Sequence, residues 1–404
     1  MPATKNNASS PTLSAGALAR ALKHVEQLMA IPGPSGKEAL VAGFVRMRLL
    51  EAGAEPEWIR TDGAHKKTPT PSDTGNLVLK LPGSVKGPRR LLMAHLDTVP
   101  ICVGTKPVRE KTYFRSGNPF TGLGADNRAG TCAILTAALE ILKHDLPHPP
   151  LTFLWCIQEE VGLYGARHVK PAFLGNPKLA FNWDGGPPEK LTMAATSGYR
   201  FNIEITGQAS HAGVAPELGV SAIAIASLAI ADLVRGGWHG LVSKDGEQGT
   251  ANVGVIRGGE ATNVVTDHVY VRAEARSHNP KFRQRMVREI EQAFERAAAE
   301  VKNSLGVSGK VKIDGRLDYE TFRLADDDPS LLAAEEAVRA VGREPFRAVT
   351  NGGLDANWMF QHGIPTVTLG CGQQNIHMTS ERLDIPQFED ACRIALLLAT
   401  SSDA

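Results

Sequence analysis

The stretch LTFLWCIQEEVGLYGARH, Leu151–His168, decides how the rest of the chain is read. Six of its first seven residues are apolar, and the run then stops on Gln158 and two adjacent carboxylates, Glu159 and Glu160. A short, near-continuous apolar run reads as a strand buried on both faces. Two like charges at the end of such a strand repel each other and are costly to dehydrate. They call for a positive partner or for open water.

The same pattern recurs on either side. Asn76–Leu81 and Arg90–His95 read as strands, the second nearly all apolar and therefore central. GLGADNRAGTCAILTAALEILKH opens on a glycine-rich turn and runs into a long helix, and PKLAFNWDGG ends another strand on an acid. Upstream, helical spacing from Leu18 to Ala52 is broken by IPGPSGKEA, Ile31–Ala39. In that turn Ser35 is expected to cap a second helix, with Glu38 three residues on. Strands alternating with helices, with acids at strand ends, describe an α/β sheet whose site lies at its carboxyl edge.

Near Thr196 the pattern changes. SGYRFNIEITG alternates as a strand, Val220–Val234 is helical, TANVGVIRGG and DHVYVRAEAR are strands, Asn279–Asn303 is a long amphipathic helix, and GKVKIDGRLDYETFRL is a last strand. This β-α-β-β-α-β order is that of a ferredoxin-like α+β unit. After Asp328 the first pattern resumes with a helix, IPTVTLGCG and a terminal helix. The fold class expected is thus α/β with an inserted α+β domain. The boundaries are a disordered tail over 1–16, a main domain over 17–195 and 324–404, and an insert over 196–323.

Composition narrows the functional classes. A chain of 404 residues exceeds one ordinary core, so two domains are expected. The net charge of +1 gives no reason to expect nucleic acid or an anionic membrane as partner. Five cysteines without a C-x-x-C pair suit reduced thiols in a cytoplasm better than a disulfide framework. The N-terminus carries no signal-peptide core. The longest apolar run, VSAIAIASLAIADLV from Val220, includes Asp232 and is shorter than the roughly 20 residues of a membrane span.

Five segments of the main domain end in metal-ligand residue types. They hold His95 and Asp97 in LLMAHLDTVP, Asp126 in GLGADNRAG, Glu159 and Glu160 in CIQEEVG, Asp184 in NWDGG, and His377 in NIHMTSER. Taken alone, Asp126 reads as a helix cap, Asp184 as a turn former and the glutamates as loop acids. Their joint occurrence at the ends of apolar strands favours a site. Residues two apart in a strand point the same way, so Asp97 is expected to meet and hold the His95 imidazole. Neighbours point oppositely, so one glutamate can bind metal while the other faces the reacting water. Asp126, Glu160 and Asp184 would balance three of the four positive charges of two divalent cations, which a partly dehydrated site favours.

The set H-x-D, G-A-D-N-R-A-G, E-E-V-G, D-G-G and the late His377 resembles the di-metal peptidase family of peptidase T, glutamate carboxypeptidase and aminoacylase. LGADNRAG and TNGGLDAN (Thr350–Asn357) are most similar to its peptidase T-like branch. The resemblance implies a metal-binding α/β/α catalytic domain and an inserted ferredoxin-like lid and dimerisation domain. It implies two divalent ions, zinc first with cobalt or manganese as alternatives. His95 and Asp184 would serve one ion, Glu160 and His377 the other, and Asp126 both, across a cis Asp126–Asn127 bond. Glu159 would be the general base and Asp97 the group steadying His95. In the insert, His211 in GQASHAG would reach a neighbouring subunit's site, and Asn263 in ATNVV and Arg276 in AEARS would bind substrate carboxylate.

Asn351 stands before Gly352 and Gly353, where tripeptidases of this branch carry an arginine. An asparagine cannot form a charge-assisted fork to a peptide carboxylate. The function expected is metal-dependent cleavage of short peptides by a cytoplasmic homodimer of peptidase T type. A carboxypeptidase or N-acyl-amino-acid amidohydrolase is the rival enzyme, and a silent peptide-binding or dimerisation protein the rival of another class. A single-zinc protease is excluded by the lack of H-E-x-x-H.

Overall fold

The computed structural model describes residues 12–401. Residues 1–11 of the expected tail lie outside that range, and the chain is already helical from Ala15, where the Ser14 hydroxyl accepts the Ala17 amide. The described residues form two compact units: 12–194 with 323–349 and 354–401, and 195–322 with 350–353.

The first unit is built on a nine-stranded sheet. Its middle runs Leu77–Leu81, Leu151–Cys156, Arg90–His95, Leu179–Trp183, Val367–Leu369. The last four of these are mutually parallel, with His95 level with Cys156, Met93 level with Asn182, and Leu369 level with Trp183. All four therefore end at one edge, and the chain leaves that edge through the loops carrying Asp97, Glu159 and Glu160, Asp184 and His377. Arg90–His95 and Leu151–Cys156 are buried at every position, which explains their lack of alternation. The helix Ala125–His144 is buried from Ala125 to Ile141, and its alanines let the strands and the helices Ala15–Ala30 and Ile385–Thr400 pack closely on it. A second, four-stranded sheet joins Pro107–Arg109 and Tyr113–Ser116 to Gln373–Gln374 and Arg382–Asp384. No sequence pattern announced it, because its strands are two to four residues long.

The second unit is an antiparallel sheet in the order Gly240–Lys244, Glu247–Gly258, His268–Ser277, Ser197–Thr206, Lys310–Tyr319. The helices Ala222–Arg235 and Pro280–Glu300 cover one face around a core that includes Phe201, Ile203, Val271, Ile225 and Phe294. Four of the strands have the ferredoxin-like arrangement. The fifth, Gly240–Lys244, departs from the expected order: it is a hairpin edge closed by Asp245 and Gly246, both at positive φ. Asp-Gly between strands is a strong hairpin signal.

Candidate metal centre

His95 is the last residue of its strand, and Thr131 donates a hydrogen bond of 2.8 Å to its carbonyl. Its Nδ1 lies 3.1 Å from the Asp97 carbonyl oxygen and 3.3 Å from Asp97 Oδ1. The two residues meet, although the strand itself ends at His95 and only the Leu96 amide carries its ladder on, to the Cys156 carbonyl at 2.7 Å. Burial alone would lower the imidazole pKa; Asp126 and Asp97 outweigh it and raise it well above the ordinary value.

Asp97 is fully buried and accepts three hydrogen bonds, from the Ser35 hydroxyl at 2.6 Å and the amides of Glu159 at 3.0 Å and Glu160 at 3.2 Å. Burial would raise its pKa, and the His95 contact reverses the sign and holds it below the usual range. Ser35 is therefore not the helix cap expected: the helix Ala39–Glu51 starts without a side-chain cap. Glu38 is not part of a capping box either. Its Oε1 accepts the amides of Gly36 at 2.9 Å and Gln158 at 3.0 Å, and burial followed by the Asp97 charge pushes its carboxyl up to about 7.

Gln158 adopts φ +53°, which turns the chain sharply before the two glutamates. Glu160, rather than Glu159, reaches His377: both of its carboxylate oxygens lie 3.0 Å from His377 Nε2. Burial, then Asp126, pushes Glu160 up to about 7. Glu159 is buried as well and is pushed well above the carboxylate range by burial, with Asp184 and Glu160 adding to it against His95.

Asp126 lies two residues after Gly124, which sits at φ +79° where a side chain would be strained, and its bond to Asn127 is cis. Its carboxylate lies between the two imidazoles, Oδ1 at 3.3 Å from His95 Nε2 and Oδ2 at 3.3 Å from His377 Nε2. The His95 approach lacks hydrogen-bond alignment, so Oδ1 is buried without a hydrogen-bond partner. Burial would raise this carboxyl, and the two histidines hold it well below its ordinary value. Ligand atoms of His95, Asp126 and Glu160 all lie within 4.8 Å of one another. Asp184, anchored by its amide to the Leu369 carbonyl at 2.8 Å, is pushed well up by burial and then by Asp126.

Several residues that hold this cluster were not singled out from the sequence. Glu381 accepts the amides of Leu123 at 2.8 Å, Gly124 at 2.7 Å and Asp126 at 3.0 Å. Arg128, buried, donates to the Leu96 carbonyl and to those of Ile31 at 3.3 Å and Gly33 at 3.4 Å. Gln373 bridges the Ala125 carbonyl at 2.9 Å and the Gly185 amide at 2.6 Å, placing the turns after Leu123 and Trp183 together. Each link joins segments far apart in sequence, so no local motif reports it.

The remaining candidates lie in the second unit. His211 Nδ1 accepts the Gly213 amide at 3.1 Å, which leaves its Nε2 as the protonated nitrogen. Asn263 stands beside it, its carbonyl accepting the Ala212 amide at 2.9 Å. Arg276 is not a free guanidinium: it forks onto Glu274 at 3.0 and 3.1 Å, and Nη1 reaches the Asn351 carbonyl at 3.4 Å. Asn351 Oδ1 lies 2.9 Å from the His278 Nε2, a contact no motif suggested. The Gly352 amide donates to Thr350 Oγ1 at 3.2 Å, and a Cβ on Gly353 would stand 2.4 Å from the Tyr319 ring.

Residues 91–401 match the model of Peptidase family M20/M25/M40. Protein YqjE of Bacillus subtilis strain 168 is 31% identical over 370 residues, spanning 91% of this chain and 94% of that protein. The crystal structure of a tripeptidase from Staphylococcus aureus subsp. aureus Mu50 is similar, with a TM-score of 0.84 at 29% identity, covering 95% of this chain and 98% of that one. Aminopeptidase PepT from Bacillus cereus ATCC 10987 gives a TM-score of 0.79 at 31% identity, with the same coverage of 95% and 98%.

Proposed function

The chain belongs to peptidase family M20/M25/M40, and from that membership we propose that it removes the N-terminal residue of short peptides as a peptidase T-like, di-metal aminopeptidase. The observation that carries this reading is the Asp126 carboxylate set between His95 and His377, 3.3 Å from each. The donor set fits two divalent cations. Asp126 Oδ1 is buried with no hydrogen-bond partner, and the buried Glu159 and the partly buried Glu160 and Asp184 are acids raised by desolvation and by neighbouring carboxylates. Cations relieve that repulsion. His95 and Asp184 would hold one, Glu160 and His377 the other, with Asp126 shared; imidazole and carboxylate suit zinc first, and also cobalt or manganese.

When bound, such a pair polarises the scissile carbonyl and lowers the pKa of water. Glu159 takes the proton of the attacking water and delivers it to the leaving amine, a task suited to a buried carboxyl whose proton affinity burial raises above the ordinary carboxylate's. Asp97 orients His95 and, through the amides of Glu159 and Glu160, fixes the turn that separates base from ligand. His211, with its proton on Nε2, is the donor to the developing oxyanion of a second subunit in a homodimer. No described helix is long and apolar enough to cross a membrane, and the five cysteines are free and buried, which supports a cytoplasmic setting. Asn351 stands in the arginine's place and the Arg276 guanidinium is forked onto Glu274, so neither residue offers a free fork to a tripeptide carboxylate, which supports a broader range of peptide lengths.

The test is a screen of the metal-loaded protein against di-, tri- and tetrapeptides, the same peptides N-acetylated, and N-acetyl amino acids. Release of the first residue from unblocked peptides alone is expected. Cleavage of the N-acetyl amino acids instead would replace the aminopeptidase with the amidohydrolase.

A further inference from the structure

The loop that carries Glu159 and Glu160 is tied off at its base by one side chain. Asn76 lies just before the strand Leu77–Leu81, whose first residue pairs with Trp155 near the end of Leu151–Cys156. It is fully buried. Its Oδ1 accepts the Ile157 amide at 3.0 Å, and its Nδ2 donates to the Gly165 carbonyl at 2.9 Å and to Asp62 Oδ2 at 2.8 Å. Ile157 leads out of the strand, and Gly165 stands in the short helix that follows the loop, Tyr164–His168. The Gly165 amide also returns to the Ile157 carbonyl at 2.9 Å.

These bonds use both N–H donors and the carbonyl oxygen of the carboxamide, so no other head group of that reach meets them all. An aspartate would set one carboxylate against another. Asp62 fixes which end of the amide points where: its Oδ1 takes the backbone amides of Ala64 and Asn76, both at 3.0 Å, and leaves Oδ2 for Nδ2. The fit at Gly165 is close. A Cβ there would stand 2.4 Å from Asn76 Oδ1 and 2.5 Å from the Ile157 carbonyl oxygen.

The loop needs such a closure. Gln158 at φ +53° and Leu163 at φ +56° are left-handed residues other than glycine, and these persist only where their surroundings over-determine them. Inside the loop the Glu159 carbonyl accepts the amides of Gly162 at 3.0 Å and Leu163 at 2.9 Å. Asp97 holds the amides of the two glutamates, and Asn76 holds the ends of the segment they stand on.

We propose that Asn76, oriented by Asp62, is a positioning residue for the Glu159–Glu160 turn, acting through the backbone rather than by contact with substrate or metal. It sets Glu160 towards its cation and Glu159 towards the reacting water. This rests on the di-metal peptidase reading above and adds to it a residue outside the ligand set.

The experiment titrates cobalt into the metal-free protein by visible absorption, for the parent, Asn76→Ser, Asp62→Asn and Gly165→Ala, with Glu160→Gln marking which equivalent depends on Glu160. Groups behind a metal ligand contribute about 10–100-fold in affinity. That equivalent should weaken by this factor in the three variants while the other keeps its affinity. At saturating cobalt, kcat should fall and KM hold. Amide exchange of the metal-free protein should quicken over 157–165 and stay unchanged in Leu151–Cys156. Unchanged cobalt affinity overturns the proposal. Equal weakening of both equivalents, with faster exchange across the whole sheet, overturns it too and makes Asn76 a general support. If Asn76→Ser does not fold, Gly165→Ala carries the same readouts, because it displaces the loop from an intact Asn76–Asp62 pair. A parent that binds two cobalt ions and cleaves no peptide defeats the peptidase reading, while selective loss of the Glu160 equivalent still upholds the positioning role. A parent without two equivalents overturns both.

Discussion

Glu381 and Asp126, 255 residues apart in sequence, are joined by a hydrogen bond of 3.0 Å from the Asp126 amide to Glu381 Oε1. The other oxygen of Glu381 takes the amides of Leu123 and Gly124. One carboxylate therefore sets the backbone from which the Asp126 carboxylate, the proposed shared ligand, projects. Glu381→Gln substitutes an NH2 group for one of these acceptors and turns it against amide donors. Groups behind a metal ligand typically contribute about 10–100-fold in metal affinity. Chelator competition on the variant should show a loss of that size, and unchanged affinity would mean the turn holds itself.

The two glutamates should separate by experiment. Glu159→Gln is expected to keep its metal content and lose about 10²–10⁴-fold in kcat, the usual contribution of a general base. Glu160→Gln should lose metal. Metal analysis beside kinetics on both variants checks this, and equal metal loss in the two would remove the assignment.

Glu38 offers a pH test in the metal-free protein. Its carboxyl stands at about 7 in the folded chain against an ordinary 4.5. The folded state then binds more protons than the unfolded one, and stability falls as pH rises through that window. Glu38→Gln keeps an oxygen for the Gly36 and Gln158 amides and cannot ionise. Its Tm should therefore exceed the parent's above pH 7, with the difference shrinking towards pH 4.5. A difference that does not vary with pH would show that Glu38 is not the titrating group.

His211 can be tested by mixing. If it serves the second subunit, His211→Ala should bind metal normally and turn over about 10²–10³-fold more slowly, as expected for loss of one oxyanion donor. Heterodimers with Glu159→Gln would contain one site with both residues intact, so activity should partly return. No recovery after verified subunit exchange would confine His211 to its own chain.

What was legible in the sequence was what is local. Arg90–His95 and Leu151–Cys156 announce themselves because strands buried on both faces are apolar throughout, and the acids after them stand out against that background. The helix Pro280–Glu300 is equally legible from its amphipathic period. Ser35 was misread because a serine before a glutamate looks the same whether it caps a helix or serves a distant aspartate. Arg128, Gln373 and Glu381 carry no signal of their own, since their partners lie in segments distant in sequence. The hairpin at Asp245–Gly246 was readable from its turn, whereas the small sheet beside His377 is made of strands too short to show any period.

The guanidinium of Arg128 has a consequence for how the chain can be divided. By holding the carbonyls of Ile31, Gly33 and Leu96 together, it seats the turn from Ile31 to Ser35 directly behind the H-x-D segment, where Ser35 meets Asp97. A fragment beginning at Arg90 would still encode every proposed metal ligand. It would nonetheless leave a buried cation without two of its three acceptors and Asp97 without its hydroxyl donor. The turn from Ile31 to Ser35 is thus a back wall to the H-x-D segment, and expression of the chain from Arg90 alone should yield insoluble chain instead of a weakened enzyme.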